Sequence, residues 1–235
     1  MSTKPNDTTS WNPFVGCKFD CVYCKDSYKK QVRRRGGKLK CPGCMAYEPH
    51  IHPEILDRLA GDKVIFVVSN GDISFCDQSF LDQIIDVMRK DKKEGRVFLM
   101  QSKDPACFAN ILQKLPENVV LMTTIETNDD SVYSGVSTAP PPSKRFQDFL
   151  QLKWPHKAMV MEPILKFDLD IITQWATALK PEAILIGLES KRKCTLPEPS
   201  PFEVLDLHIE LQKIGFMPYD KAKSKYRDAF DMIFC

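Results

Sequence analysis

The sequence predicts an α/β fold, a partial (βα)6 TIM-like barrel with parallel strands. After residue 60, five short apolar runs alternate with segments of helical period, and each run has about the length of one strand. These five and a further strand near residues 10–16 give six βα units, too few for a closed eight-stranded barrel. An open doubly wound sheet is the second choice.

The runs are VIFVV (64–68), VFLM (97–100), VVLMTTI (119–125), AMVM (158–161) and AILIGL (183–188). Each is apolar on successive residues, as parallel strands covered on both faces tend to be. Between them, Leu81, Ile84, Ile85 and Met88 form one helical stripe, and Phe108, Ile111, Leu112 and Leu115 another. Asp104-Pro105 reads as an N-cap followed by proline at the first helical position. Ile171, Ile172 and Trp175 repeat the helical spacing. Ser200 to Glu203 reads as a capping box opening a helix with Leu205, Ile209 and Ile214. The proline clusters in TAPPPS and LPEPSP mark loops over 128–143 and 190–200. The whole chain, 1–235, reads as a single domain with a cysteine-rich basic insertion at about 25–52 and a C-terminal extension at about 200–235.

With 43% hydrophobic residues and a net charge of +2, the composition is that of an ordinary globular protein. No apolar run approaches the roughly 20 residues that span a bilayer, and MSTKPNDTTS lacks a signal-peptide core. The expectation is a cytoplasmic protein without membrane partners. There, nine cysteines are metal ligands or small core residues more often than disulfides.

In parallel α/β architectures the site lies at the carboxyl ends of the strands. The polar residues at those ends are Ser69-Asn70-Gly71-Asp72, Gln101-Ser102-Lys103, Thr124 and Glu126, Glu162, and Glu189-Ser190. Turns facing solvent are polar in any protein, but the clustering over successive strand ends favours a site.

Cys17, Cys21 and Cys24 stand in C-x3-C-x2-C spacing on the first loop. Three thiolates are an odd number for a structural tetrahedral zinc. In a four-iron cluster they leave one iron open to an outside ligand. This motif after a first strand, with Tyr23 before the third cysteine, resembles the radical S-adenosylmethionine superfamily. WNPFVGC, IFVVSNGDIS, LPENVVLMTTIET, MEPIL and ILIGLES occur in the order expected of a sparsely characterised phage- and prokaryote-associated branch of it.

The resemblance implies an enzyme with a [4Fe-4S] cluster, held by Cys17, Cys21 and Cys24, and S-adenosylmethionine on the open iron. Reductive cleavage of the sulfonium would give a 5′-deoxyadenosyl radical that abstracts hydrogen from a substrate, with a flavodoxin or ferredoxin as electron donor. It places Asn70, Gly71 and Asp72 where the superfamily often has a Gly-Gly-Glu run that meets the methionine amino group. Ser102 and Lys103 fall near the cofactor carboxylate, Glu126 and Thr124 near the ribose, and Glu162 and Glu189 near substrate or adenine.

Cys41 and Cys44 form a C-P-G-C knuckle, and His50 and His52 can complete a C-x2-C-x5-H-x-H metal site. Completion by Cys76, Cys107, Cys194 or Cys235 from afar, an auxiliary iron–sulfur cluster, a redox pair and a metal-free knuckle stay open beside structural zinc. Cys76 and Cys107 read as core residues. Lys29, Lys30, Arg33, Arg34, Arg35, Lys38 and Lys40 lie between the two cysteine groups, either as a phosphate grip or as a solvated insertion. The tail adds Lys221, Lys223, Lys225, Tyr226 and Arg227, which can cover the open barrel edge. The substrate is unknown; a phosphate-bearing nucleotide or nucleic acid is favoured. The alternative is a zinc-stabilised nucleic-acid-binding module without catalysis.

Overall fold

The computed structural model of the chain describes residues 8–25, 28–59, 61, 63–189 and 195–220. Ser190, Cys194, Cys235 and the basic tail residues lie outside them.

The elements follow in order as β1 (Thr8–Trp11), β2 (Phe14–Val15), α1 (Tyr28–Leu39), α2 (Pro42–Ala46), β3 (His50–Ile51), β4 (Val64–Val67), α3 (Gln78–Lys90), β5 (Val97–Ser102) and β6 (Val119–Thr124). The second half has α4 (Asp130–Tyr133), α5 (Pro142–Gln151), β7 (Lys157–Met161), α6 (Leu169–Leu179), β8 (Ala183–Ile186), α7 (Pro201–Lys213) and β9 (Tyr219–Asp220). Among the described residues no helix is long and apolar enough to cross a membrane.

The main sheet is parallel throughout, in the order β1-β4-β5-β6-β7-β8-β9. Each strand joins beside the one before it, without the reversal that defines a doubly wound sheet. Among the described strands, β1 pairs only with β4 in this sheet and β9 only with β8, so the barrel is open. The seventh strand, β9, adds two residues beyond the expected six.

The two faces of the sheet are covered unequally. Phe98, Met100, Leu121, Met159 and Ile184 are essentially inaccessible beneath the helices. On the concave face Met122, Ala158 and Val160 are buried, while Phe66, Leu99, Val120, Ala183 and Leu185 are only partly so. The alternating burial along β4, β5 and β8 departs from the expected two-faced burial. An open barrel leaves its interior only partly covered, lined here by apolar side chains.

The helix α3 buries Leu81, Ile84, Ile85 and Met88, each contributing about 1.5–3 kcal/mol by area, and Asp77 caps it by accepting from the amide of Phe80 at 2.9 Å. The capping box of α7 is complete, with Ser200 and Glu203 each accepting the other's amide. Trp175 of α6 stacks on Phe146 of α5 at 4.3 Å between centroids.

Three local readings need correction. The stripe Phe108, Ile111 and Leu115 is buried as expected, but its backbone winds as 3-10 turns, Pro105–Asn110 and Leu112–Lys114. Asp104 sits at the cap position without a side-chain cap bond. The loop expected over 128–143 contains α4 and delivers the start of α5, because proline breaks a helix interior but is tolerated in its first turn.

The expected first strand divides in two. Pro13 ends β1, and β2 turns away to pair antiparallel with β3, Phe14 opposite Ile51 and Val15 opposite His50. Asn12 stitches the break by accepting from the amide of Asn70 at 2.7 Å and the hydroxyl of Ser69 at 3.2 Å. Gly16 then bridges Gly71, its amide donating to Asn70 and its carbonyl accepting from Asp72, both at 3.1 Å. Gly16 has φ +106°, and a Cβ there would lie 2.3 Å from the carbonyl oxygen of Glu48. Neither the φ nor the space admits a side chain.

Gly16→Ala should therefore lower stability by more than about 1 kcal/mol, read as a lower urea midpoint at unchanged slope. A midpoint equal to that of the parent would refute this close approach.

Candidate active site

The cysteine loop leaves β2 at Gly16 and crosses the carboxyl edge of the sheet. Residues 136–139 clamp it from outside. The amide of Val22 donates to the carbonyl of Val136 at 2.9 Å, and the amide of Thr138 to the carbonyl of Phe19 at 2.8 Å. Ser137 donates to the carbonyl of Phe19 at 2.9 Å and accepts from the thiol of Cys21 at 3.2 Å. Phe19 packs on Phe75, with ring centroids 4.7 Å apart. Cys17, Cys21 and Cys24 thus share an apolar pocket with Phe19, Phe75, Ala139 and Tyr23.

The three thiols influence one another electrostatically. The Cys24 thiol donates to Cys21, which brings Cys21 down to about 6 against the opposing effect of burial, and Lys103 adds to the lowering. The same hydrogen bond, with burial, drives Cys24 up. Burial and the charge of Asp72 push Cys17 up to about 12. Three soft donors on one loop, with no imidazole or carboxylate among them, suit an iron–sulfur cluster.

Beneath the loop lies a buried ionic group. Glu126, just past β6, is fully inaccessible. It accepts from the hydroxyl of Tyr23 at 2.7 Å, pairs with the ammonium of Lys103, and meets the guanidinium of Arg145 at 2.8 Å. Arg145, on α5 and likewise inaccessible, also donates to the carbonyl of Thr124 and lies under the Tyr133 ring, 4.6 Å from its centroid. The ammonium of Lys103 stands 5.2 Å from the centroid of the Tyr23 ring. Burial alone would raise the Glu126 carboxyl, but Arg145 and Lys103 outweigh it and hold the group at about 2. Burial opposes the charge on Lys103, and Glu126 with Cys21 overcomes it. Within this group two cations face one carboxylate, and Asp72 and the thiols lie beside it.

Asp72 is also buried and fully engaged. One oxygen accepts from the Ser102 hydroxyl at 2.6 Å, the Ser74 hydroxyl at 2.8 Å and the Ser74 amide at 3.0 Å; the other accepts from the amide of Lys103 at 2.8 Å. Three of these donors crowd one oxygen and one meets the other, and together they lock the ends of β4 and β5. Thr124 accepts from Gln101 at 2.7 Å. Asn70 and Gly71 meet Gly16 through their backbones.

Glu162 and Glu189 follow β7 and β8, and Glu189 is buried. The Glu162 side chain passes over Gly187, where a Cβ would lie 3.0 Å from it. Of the sequence-predicted residues, Tyr23, Lys103 and Thr124 contact the Glu126–Arg145 group, with Asp72 and Ser102 beside it, whereas Asn70 and Gly71 engage Gly16. Cys76 and Cys107 pack against the main core. Arg145 and Ser137 were not expected. Arg145 follows a proline cluster, and only its place in an otherwise apolar helix face, beside Phe146 and Phe149, sets it apart.

Cys41, Cys44, His50 and His52 form a separate group, with all four ligand atoms within 4.8 Å of one another.

Removing Arg145 takes one of two cations from the buried Glu126 and leaves it Lys103 and Tyr23, so Arg145→Ala should cost up to about 3–5 kcal/mol, measured by urea unfolding. Glu126 has a depressed folded-state pKa, so its contribution is present above its ordinary value and is lost as pH falls through about 2. Glu126→Gln should accordingly flatten the fall of Tm below pH 4.5 relative to the parent; parallel Tm profiles would contradict this.

No protein-family model matches the chain, and no curated protein sequence matches it. Solved structures do. A mutant of spore photoproduct lyase with dinucleoside spore photoproduct superposes with a TM-score of 0.63 at 10% identity, over 94% of this chain and 78% of that one. A radical SAM methyltransferase from Sphaerobacter thermophilus gives 0.61 at 10% identity, over 93% and 67%. Streptococcus suis SuiB bound to precursor peptide SuiA gives 0.59 at 11% identity, over 94% and 51%. What the chain shares with these proteins is architecture: it carries the partial-barrel fold seen in radical SAM enzymes.

Proposed function

We propose that the chain is a radical S-adenosylmethionine enzyme. The observation that carries this reading is the three-thiol loop, pinned through Tyr23 to the buried group of Glu126, Lys103 and Arg145 at the carboxyl edge of an open parallel barrel. Cys17, Cys21 and Cys24 hold a [4Fe-4S] cluster, which together with S-adenosylmethionine supplies reductive cleavage and a carbon radical for hydrogen abstraction. A flavodoxin or ferredoxin supplies the electron.

The protein's own groups bind and orient. Lys103 faces the anionic end of the cofactor, and Glu126 and Arg145 position it. Thr124, Glu162 and Glu189, at or just past successive strand ends, would serve as acceptors for ribose hydroxyls or substrate. Asp72 would serve the cofactor ammonium through the oxygen that accepts the amide of Lys103.

The substrate in this proposal bears phosphate, as a nucleotide or nucleic acid. Helix α1 presents Arg34, Arg35 and Lys38 around a recess of about 300 Å³ that Asn70, at the end of β4, also lines. A zinc-stabilised binding module without catalysis would leave the three thiols, which lie outside the Cys41, Cys44, His50 and His52 group, without a complete ligand set.

Anaerobically reconstituted protein given dithionite and S-adenosylmethionine should release 5′-deoxyadenosine, and a Cys17→Ala, Cys21→Ala, Cys24→Ala variant should release none. Equal release from both, or iron-free protein after reconstitution, would sink the enzyme reading. Replacing Arg34, Arg35 and Lys38 by Ala should weaken binding of a labelled single-stranded oligonucleotide. The slope of log K against log salt should fall by about 2. An unchanged slope would remove the phosphate grip.

A further inference from the structure

We infer that Cys41, Cys44, His50 and His52 hold one zinc ion, in a structural site that ties the basic helix α1 to the cysteine loop. These residues are distinct from those of the proposed cluster, so the inference stands whether or not that reading does.

The donor geometry is that of a single tetrahedral ion. With Zn–S near 2.3 Å and Zn–N near 2.0–2.1 Å, a tetrahedron has S···N edges of about 3.5 Å and an N···N edge of about 3.3 Å. The Nε2 atoms of His50 and His52 lie 3.4 and 3.9 Å from the sulfur of Cys41 and 3.3 and 3.3 Å from that of Cys44, and 2.9 Å from each other. A two-iron cluster would hold its sulfur pair and nitrogen pair apart on different irons; here the four atoms enclose space for one ion.

The outer contacts fix the tautomers. Nδ1 of His50 lies 2.7 Å from the carbonyl of Glu48, which can only accept, so this nitrogen carries the proton. Nδ1 of His52 donates to the carboxylate of Glu54 at 2.8 Å. A carbonyl or carboxylate behind each imidazole is the usual second support of a metal-bound histidine. In the neutral rings both Nε2 lone pairs then converge on one point, at a separation where they repel unless a cation lies between them. The amide of Cys44 donates to the sulfur of Cys41 at 3.4 Å, which suits a thiolate.

The glycines of this segment make the same point. A Cβ on Gly43 would lie 2.6 Å from the His50 ring, and one on Gly36 would lie 2.5 Å from the Cβ of Cys44. Gly36 costs α1 about 1 kcal/mol of helix propensity and in exchange lets that helix lie against the knuckle. His50 is paired with Val15 in the β2–β3 ladder, two residues before Cys17. Four protein ligands close the coordination sphere, which marks the ion as structural.

The test is the metal content of the full-length protein, purified without air. The Cys17→Ala, Cys21→Ala, Cys24→Ala variant should retain one zinc per chain, and Cys41→Ser with Cys44→Ser should lose it. Cobalt(II) in the first variant should give the strong visible bands of a tetrahedral thiolate site. Absence of zinc from the first variant, iron in its place, or zinc retained by the second would each overturn the inference. Should the second variant fail to fold, native protein stripped by a chelator should become open to trypsin within α1 and regain protection with zinc; cleavage indifferent to zinc would also overturn it. Zinc retained without release of 5′-deoxyadenosine would leave this site standing while the enzyme reading fell.

Discussion

The candidate site depends on the burial of one carboxylate. Glu126 is inaccessible to water, and a charge in that position is tolerable only if opposite charges and hydrogen bonds surround it. Its three partners come from three places: Tyr23 from the cysteine loop, Lys103 from the end of β5 and Arg145 from α5. Satisfying Glu126 therefore fixes the loop, the sheet edge and a covering helix at once.

A second constraint is steric. Gly16 and Gly71 bring two strand ends into backbone contact, and Asn12 holds the chain across the break at Pro13. The cysteine loop can begin in the plane of the sheet edge only because neither glycine carries a side chain. Around it, hydrogen bonds from residues 136–139 stand in for the regular ladder that a loop lacks.

Much of this was legible in the sequence for simple reasons. The apolar runs predicted the strands because parallel strands are apolar on successive residues, and Leu81, Ile84, Ile85 and Met88 predicted α3 because they fall on one helical face. The four residues from Cys41 to His52 were legible as a candidate metal group through spacing alone. What was hidden depended on distant pairing. Arg145 looks like any charged residue on a helix until Glu126 is placed opposite it. Ser137 and Thr138 look like loop filler until Phe19 arrives, 118 and 119 residues away in the chain. The 3-10 winding over 105–114 leaves the apolar stripe unchanged, so periodicity could not distinguish it from an α-helix.

The sequential strand order carries a consequence for synthesis. Each strand of the main sheet pairs with its predecessor, so from β4 onward the sheet can grow in the order in which the chain leaves the ribosome. The clamp of the cysteine loop and its anchor on Glu126 lie 103 to 119 residues later in the chain. The thiols are thus made well before the residues that enclose them. Throughout that interval they meet the surrounding solution as open nucleophiles, and a nascent chain made in an oxidising setting would present them to oxidants before any fold could shield them.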